Sequence, residues 1–141
     1  MQRRDYILRE IERLGYILAR IRDRILGRTT SLDELRRDLS GAAGSIGLDL
    51  DLAHRVTPET LLLLAPPATD PSKTWFFAES LYLEGLELHL AGSPQEAAGL
   101  LRRARLLFEA LRGAGSGVIL VPEAAGRIEE IDQILGTEPL W

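Results

Sequence analysis

The chain has two histidines, His54 and His89, and both lie near acidic residues at spacings that suit metal ligands. Asp51 precedes His54 by three positions, while Glu84 and Glu87 precede His89. Neither group supplies the three ligands at workable spacing that a catalytic zinc ion needs. We therefore expect both histidines at the surface or partly buried, and we expect no metal and no cofactor.

Nucleophilic and phosphate-binding chemistry is also poorly supported. Cysteine is absent, which removes thiolate catalysis and disulfides. Ser45, Ser93 and Ser116 have no neighbouring base that the sequence reveals. The glycine-rich segments GAAGSIG and GAGSG lack the Lys-Ser/Thr ending and the flanking elements of a phosphate-binding loop. The sequence thus predicts a protein that is not an enzyme.

The densest aromatic cluster is Trp75-Phe76-Phe77, near the start of a long predicted helix. Three consecutive aromatic side chains are costly to expose together, so we expect them in the core. The alternative is an apolar ligand pocket formed by Trp75, Phe77, Tyr82 and His89, which would make the chain a small-ligand-binding regulatory module.

These residues must be positioned by helices, because helical periodicity dominates the 141 residues. The first helix is predicted over residues 3–26, and Gly15 within it indicates a close crossing by a second helix. Its apolar residues repeat at spacings of four and three, as in a heptad seam that another helix must cover. That seam consists of Ile7, Ile11, Leu14, Leu18, Ile21 and Ile25.

Capping residues, prolines and glycines divide the rest of the chain. The segment TPETLLLL predicts a short apolar helix that belongs in the core. The fold class is therefore all-α, a helical bundle of six to seven helices in a single domain, residues 1–141. Within it we expect an N-terminal helical hairpin (1–40), a linker with short helices (41–70), a second hairpin (71–112) and a C-terminal helix (122–136).

The second hairpin has a distinctive pattern of small residues. Gly85, Ala97 and Ala104 allow two helices to approach closely, and Leu81, Leu88 and Leu101 fill the remaining space. From residue 78 to 111 this pattern resembles one tetratricopeptide repeat. In their order, the segments also resemble a bacterial family of tetratricopeptide-like proteins of unknown function.

The resemblance implies a groove that contacts a partner through Glu79, Tyr82, Leu86 and His89. Repeats that bind C-terminal carboxylates have Lys, Arg and Asn in such a groove, and Glu79 departs from that pattern. The repeat period fails on both sides of the hairpin, so the neighbouring helices must cover its faces.

The charge is unevenly distributed. Residues 1–28 hold eight arginines and four acids, which gives a charge of +4. Since the whole chain has a net charge of −4, the remaining residues carry −8. Opposite fields favour association, and we expect a homodimer. Its interface is predicted to use Ile7, Ile11, Leu14, Leu18, Ile21 and Trp141.

The function expected from these patterns is a non-enzymatic protein–protein interaction or scaffold module that self-associates and whose protein partner is unknown. We expect a cytoplasmic protein, since neither a secretory signal nor a membrane span is present. Contact of the basic first helix with nucleic acid or an anionic membrane is the third hypothesis. We do not favour it, because acids alternate with the arginines at helical spacing, as on a solvated face.

Overall fold

The computed structural model describes residues 3–114 and 121–136, in which the chain forms seven helices and no strand. They are α1 (Arg3–Leu26), α2 (Leu32–Ser45), α3 (Leu52–Arg55), α4 (Pro58–Leu64), α5 (Pro71–Leu90), α6 (Pro94–Gly113) and α7 (Val121–Leu135). The all-α helical bundle is thus confirmed. None of these helices combines the length and apolar character needed to cross a bilayer.

The central element is α5. From Pro71 to Leu88 all of its residues are buried except Lys73, which is half-buried. Helix α6 packs along it most extensively, while α1 and α2 cover other faces. The aromatic cluster Trp75-Phe76-Phe77 is buried, as predicted. A helix buried all round must be surrounded by other helices, so α5 organises the bundle.

Gly85 explains how closely α5 and α6 approach. A Cβ atom at this position would lie 2.7 Å from both Cγ and Cδ2 of Leu101. Carbon atoms in contact are normally about 3.5–4.0 Å apart, so the α6 side chain occupies the space that a larger residue at position 85 would need. This is the close hairpin that the small residues predict.

The heptad seam of α1 faces the core of the chain itself. Leu14, Leu18, Ile21 and Ile25 are each at most 2% exposed. At Gly15, Trp75 of α5 lies 3.7 Å from the position of an added Cβ, which is where the sequence predicts a crossing helix.

Helix α2 is longer than the sequence indicates. The segment GAAGSIG predicts a linker from residue 41, but the helix continues to Ser45. Ala42 and Ala43 are buried, and their packing offsets the cost of two helical glycines, about 1 kcal/mol each. The extension gives α2 an additional turn opposite α1.

Helix α4 differs from the expectation of a wholly buried element. Pro58 and Leu61 are buried, whereas Leu63 is 81% and Leu64 is 59% exposed. A helix of seven residues that packs on α6 with one side must expose the other. Two adjacent leucines therefore lie at the surface.

Candidate functional site

The residues predicted to form a repeat-type groove lie on α5, but they do not form an open wall. Glu79, Tyr82 and Leu86 are 3%, 0% and 4% exposed, and His89 alone among them is exposed. The chain's own helices α1 and α7 occupy this side of α5. The predicted groove is therefore closed by intramolecular contacts.

Helix α7 reaches Glu79 through Arg127. The Nε and Nη2 atoms of Arg127 each donate to a different oxygen of Glu79 at 2.9 Å. The same guanidinium stacks on the ring of Tyr82, 4.6 Å from the ring centroid. Although burial opposes its charge, the bonds to Glu79 hold the pKa of Arg127 above its usual value. The guanidinium of Arg127 thus remains charged inside the fold.

Tyr82 joins three helices through its hydroxyl group. It accepts a hydrogen bond from Nε of Arg22 on α1 at 3.0 Å and donates one to Glu130 of α7. Arg22 also lies 3.2 Å from Glu130. Burial, together with the Glu130 carboxylate, raises the pKa of Tyr82 well above its usual value near 10. The phenol is thus a neutral donor that clamps α1 and α7 onto α5.

Two further buried carboxylates of α5 are bound in the same manner. Glu84, which is fully buried, accepts a hydrogen bond from Nε of Arg36 at 3.0 Å and lies 3.0 Å from Nε2 of His54. Glu87 lies 3.0 Å from Nη1 of Arg28, in the turn between α1 and α2. Such carboxylates are compensated, so they position helices rather than act as free acids or bases.

His54 and Glu84 bring a histidine and a carboxylate together at the edge of a cavity. Together with Arg36, Ser40, Leu50 and Asp51 they line an opening of about 330 Å³. Within the part of the chain that the structure describes, no group of three or more His, Cys, Asp or Glu residues is suited to hold a metal ion.

The residues of the alternative ligand pocket are not brought together. Trp75, Phe77 and Tyr82 are packed in the core, at 7%, 3% and 0% exposure. His89 instead lines a separate small cavity of about 120 Å³ beside α6 and the end of α7. The aromatic cluster thus stabilises the fold and does not face His89 across a common cavity.

The predicted dimer interface also needs correction. Leu14, Leu18 and Ile21 are buried within one copy of the chain, and Ile11 is half-buried against the same core. They cannot serve as a free surface while the helix stays packed. The side chain of Ile7 and the whole of Trp141 lie outside the described residues.

The outer side of the first hairpin carries a feature that sequence reasoning missed. Between α1 and α2 runs a groove of about 510 Å³, here called the arginine groove. Its lining consists of Arg13, Tyr16, Ile17, Arg20, Ile21, Arg24, Arg37, Asp38, Gly41, Ala42 and Ser45. Part of its second wall is the α2 segment predicted to be a linker, so its shape was not foreseen.

The arginine groove combines free charge with apolar surface. Arg24 pairs with Asp38 at 2.5 Å, and Arg20 lies 5.9 Å from the centroid of the exposed Tyr16 ring. Arg13 and Arg37 are exposed and make no hydrogen bond or ion pair with any described residue. The spacing of the arginines along α1 is a sequence signal for this surface, but the same spacing is typical of a solvated helix face.

Comparison with known proteins does not extend this assignment. No model of a protein family matches the chain, and no curated protein or solved structure matches it significantly. The candidate site therefore rests on geometry, since charge, aromatic area and concave shape coincide in the groove between α1 and α2.

Proposed function

We propose that this chain is a non-enzymatic interaction module that binds a protein partner in the arginine groove. The observation that supports this best is that Arg13 and Arg37, which have no partner among the described residues, line one concave surface together with Tyr16 and Ile17. Protein-binding surfaces are enriched in arginine and tyrosine, which bring large contact areas and directed hydrogen bonds. The groove has both residue types.

Binding rather than catalysis is favoured by the state of the buried acids. Glu79, Glu84 and Glu87 are each bound to an arginine of another element, and the buried phenol of Tyr82 is held neutral. Groups neutralised in this way contribute to structure. The groove arginines Arg13 and Arg37, in contrast, are exposed and have no partner among the described residues.

We also propose that α5 and α6 form one tetratricopeptide-like unit, as the close packing of Gly85 on Leu101 supports. A cytoplasmic location is part of the same proposal, and the absence of cysteine agrees with it.

Self-association is the second candidate function, and the exposed Leu63 and Leu64 of α4 favour it. A second copy could cover this apolar surface. Light scattering of the wild type and of a Leu63→Ser, Leu64→Ser double variant tests this role. A wild-type mass equal to one chain at high concentration would exclude it.

Two matched substitutions test the proposed binding function. No atom lies within 4 Å of the position that a Cβ would take on Gly41 or on Gly44, yet Gly41 lines the groove and Gly44 lies outside its lining. Leucine at either position is a better helix former than glycine, so both variants should fold. Only Gly41→Leu places an isobutyl group in the groove.

The measurement is quantitative co-precipitation from cells that produce the protein. We expect protein partners of the wild type to be retained by Gly44→Leu and lost by Gly41→Leu. The proposal fails when Gly41→Leu retains the same partners at the same yield.

A further inference from the structure

We infer that the arginine groove accommodates an acidic, amphipathic helix of about three turns from a partner protein. This inference rests on the function proposed above and adds the chemistry of the occupant. It follows from three properties of the groove: its charge, its length and the character of its floor.

The charge of the groove is strongly positive. Four arginines, at positions 13, 20, 24 and 37, face one aspartate, Asp38, which gives a local charge of +3. The whole chain, in contrast, has a net charge of −4. A positive potential confined to one concave surface selects a short acidic segment and repels basic ones.

The length of the groove suits a helix. On α1 its lining runs from Arg13 to Arg24, and on α2 from Arg37 to Ser45. At 1.5 Å per residue the α1 wall is about 17 Å long, which equals roughly three helical turns. A helix placed between two helices contacts both through residues spaced i, i+3, i+4 and i+7.

The floor provides the apolar contacts. Ile17, which is half-buried, supplies most of its apolar surface, while Ile21 and Ala42 line it but are only 2% and 8% exposed. Gly41 leaves open space above α2. Small residues on α2 allow a partner backbone to approach, while the ring of Tyr16, which is 67% exposed, is available to cover its apolar face. Acidic residues at the margins of the partner helix would then reach Arg13, Arg20 and Arg37.

The apolar residues of the groove favour an acidic protein helix over nucleic acid or an anionic bilayer. A phosphate backbone is bound through charges and hydrogen bonds, and the apolar floor offers it neither. The recessed floor also cannot contact a bilayer, whose surface is flat on this scale. Nucleic acid and anionic lipid are therefore treated as outcomes of the test.

The test is a display selection on the intact protein. The probe is a library of 16-residue peptides with helical propensity in which acidic, basic, polar and apolar residues occur at every position. We expect the selected peptides to have apolar residues at helical spacing with Asp and Glu beside them, and to gain helical circular dichroism on binding.

Charge-reversed variants then test the contacts of the best peptide by fluorescence anisotropy. Arg13→Glu together with Arg37→Glu should weaken its binding by about tenfold or more. The matched control, Arg55→Glu together with Arg112→Glu, changes the net charge equally at exposed positions on α3 and α6, outside the groove. It should change the affinity by about threefold or less, since distant exposed charges are screened.

The outcomes separate the inference from the proposed function. Selected peptides that are neutral or basic, yet lose binding to Gly41→Leu, overturn the acidic helix and leave the groove as a protein-binding site. No selected peptide, or only peptides that bind Gly41→Leu as well as the wild type, overturns both. Tighter binding of a 20-nucleotide single-stranded DNA, or of vesicles of phosphatidylglycerol and phosphatidylcholine in equal parts, also overturns both.

Discussion

Replacing Gly85 by alanine tests the close packing of α5 on α6 with the smallest possible change. The added Cβ would lie 2.7 Å from Cγ and Cδ2 of Leu101 and 3.4 Å from the carbonyl oxygen of Ala97. The two carbon contacts are about 1 Å too short. Because Cγ is the branching atom of a fully buried side chain, a change of rotamer cannot remove the overlap cheaply.

Two opposing effects determine the size of the change. Alanine at a helix interior is worth about 1 kcal/mol relative to glycine. Overpacking by one methyl group in a filled core costs about 1–3 kcal/mol, and the direct overlap with Leu101 places Gly85→Ala toward the upper part of this range. We therefore expect a net loss of about 1–2 kcal/mol in the free energy of unfolding.

The assay is urea unfolding followed by circular dichroism at 222 nm. With a urea dependence of about 2 kcal/mol per molar, the middle of the usual range, the expected loss lowers the midpoint by roughly 0.5–1 M. The matched control is Gly99→Ala in the exposed interior of α6, where no atom lies within 4 Å of the new Cβ. Its midpoint should rise, since the propensity gain of up to about 1 kcal/mol is unopposed.

A double-mutant cycle identifies the clashing partner. Leu101→Ala removes the two atoms that the new Cβ meets, so the penalty of Gly85→Ala should vanish in that background and become a small gain. The reasoning is refuted if Gly85→Ala is as stable as the wild type. It is also refuted if its penalty is the same with and without the Leu101 side chain.

Three further substitutions test the remaining features of the fold. Arg127→Ala leaves the carboxylate of Glu79 buried and unpaired and should lower the free energy of unfolding by about 3–5 kcal/mol. Arg105→Ala removes ion pairs that are accessible to solvent, and urea unfolding should show a loss of at most about 1 kcal/mol. Because the pKa of Tyr82 is raised in the folded chain, the neutral phenol contributes its full stability below pH 10, and this contribution is lost as the pH rises above that value. In unfolding measurements between pH 9 and 11, Tyr82→Phe should therefore lose less stability with rising pH than the wild type does. Leu63→Ser should change the urea midpoint little, because the side chain is 81% exposed, and a loss of more than about 1 kcal/mol would show that the residue is buried by a second copy.

Helix starts could be predicted because their signals are local. The hydroxyl of Ser31 accepts a hydrogen bond from the amide of Glu34 at 3.2 Å, and that of Thr57 accepts one from Thr60 at 3.1 Å. At Ser93 the helix also begins as predicted, although the serine side chain makes no capping bond. Residues three positions apart determine such ends, so no knowledge of the tertiary structure is required.

The C-terminal end of α2 and the helix that covers the α1 seam could not be predicted, because contacts between residues far apart in the sequence determine both. Glycine content predicted a linker after Ser40, but burial of Ala42 and Ala43 by the core keeps the helix intact. The periodicity of α1 correctly showed that its apolar face must be covered, yet it could not show that α5 of the same chain covers it. Leu14, Leu18 and Ile21, which were expected at a dimer interface, therefore lie in the core of one copy.

The polar contacts of α5 were beyond sequence reasoning for the same reason. Glu79 and Arg127 are 48 positions apart, and Glu84 and Arg36 are separated by the same number. With 17 basic residues in the chain, no local rule selects the partner of each glutamate. The useful signal was the presence of three glutamates in an otherwise apolar helix, since buried charges require partners.

These buried pairs also bear on how the arginine groove is formed. Arg28 and Arg36 bind Glu87 and Glu84 of α5, which fixes the hairpin of α1 and α2 on the core from within. The carboxylates of these pairs are buried and would be costly to leave unpaired, whereas Arg28 and Arg36 remain 43% and 49% exposed. They tie the turn between α1 and α2, and α2 itself, to α5, and we expect this attachment to hold α2 in place before any partner arrives. A groove formed in advance saves the entropic cost of ordering its walls on binding, so weakening the Glu84 pair should reduce partner affinity even though Glu84 lies outside the groove.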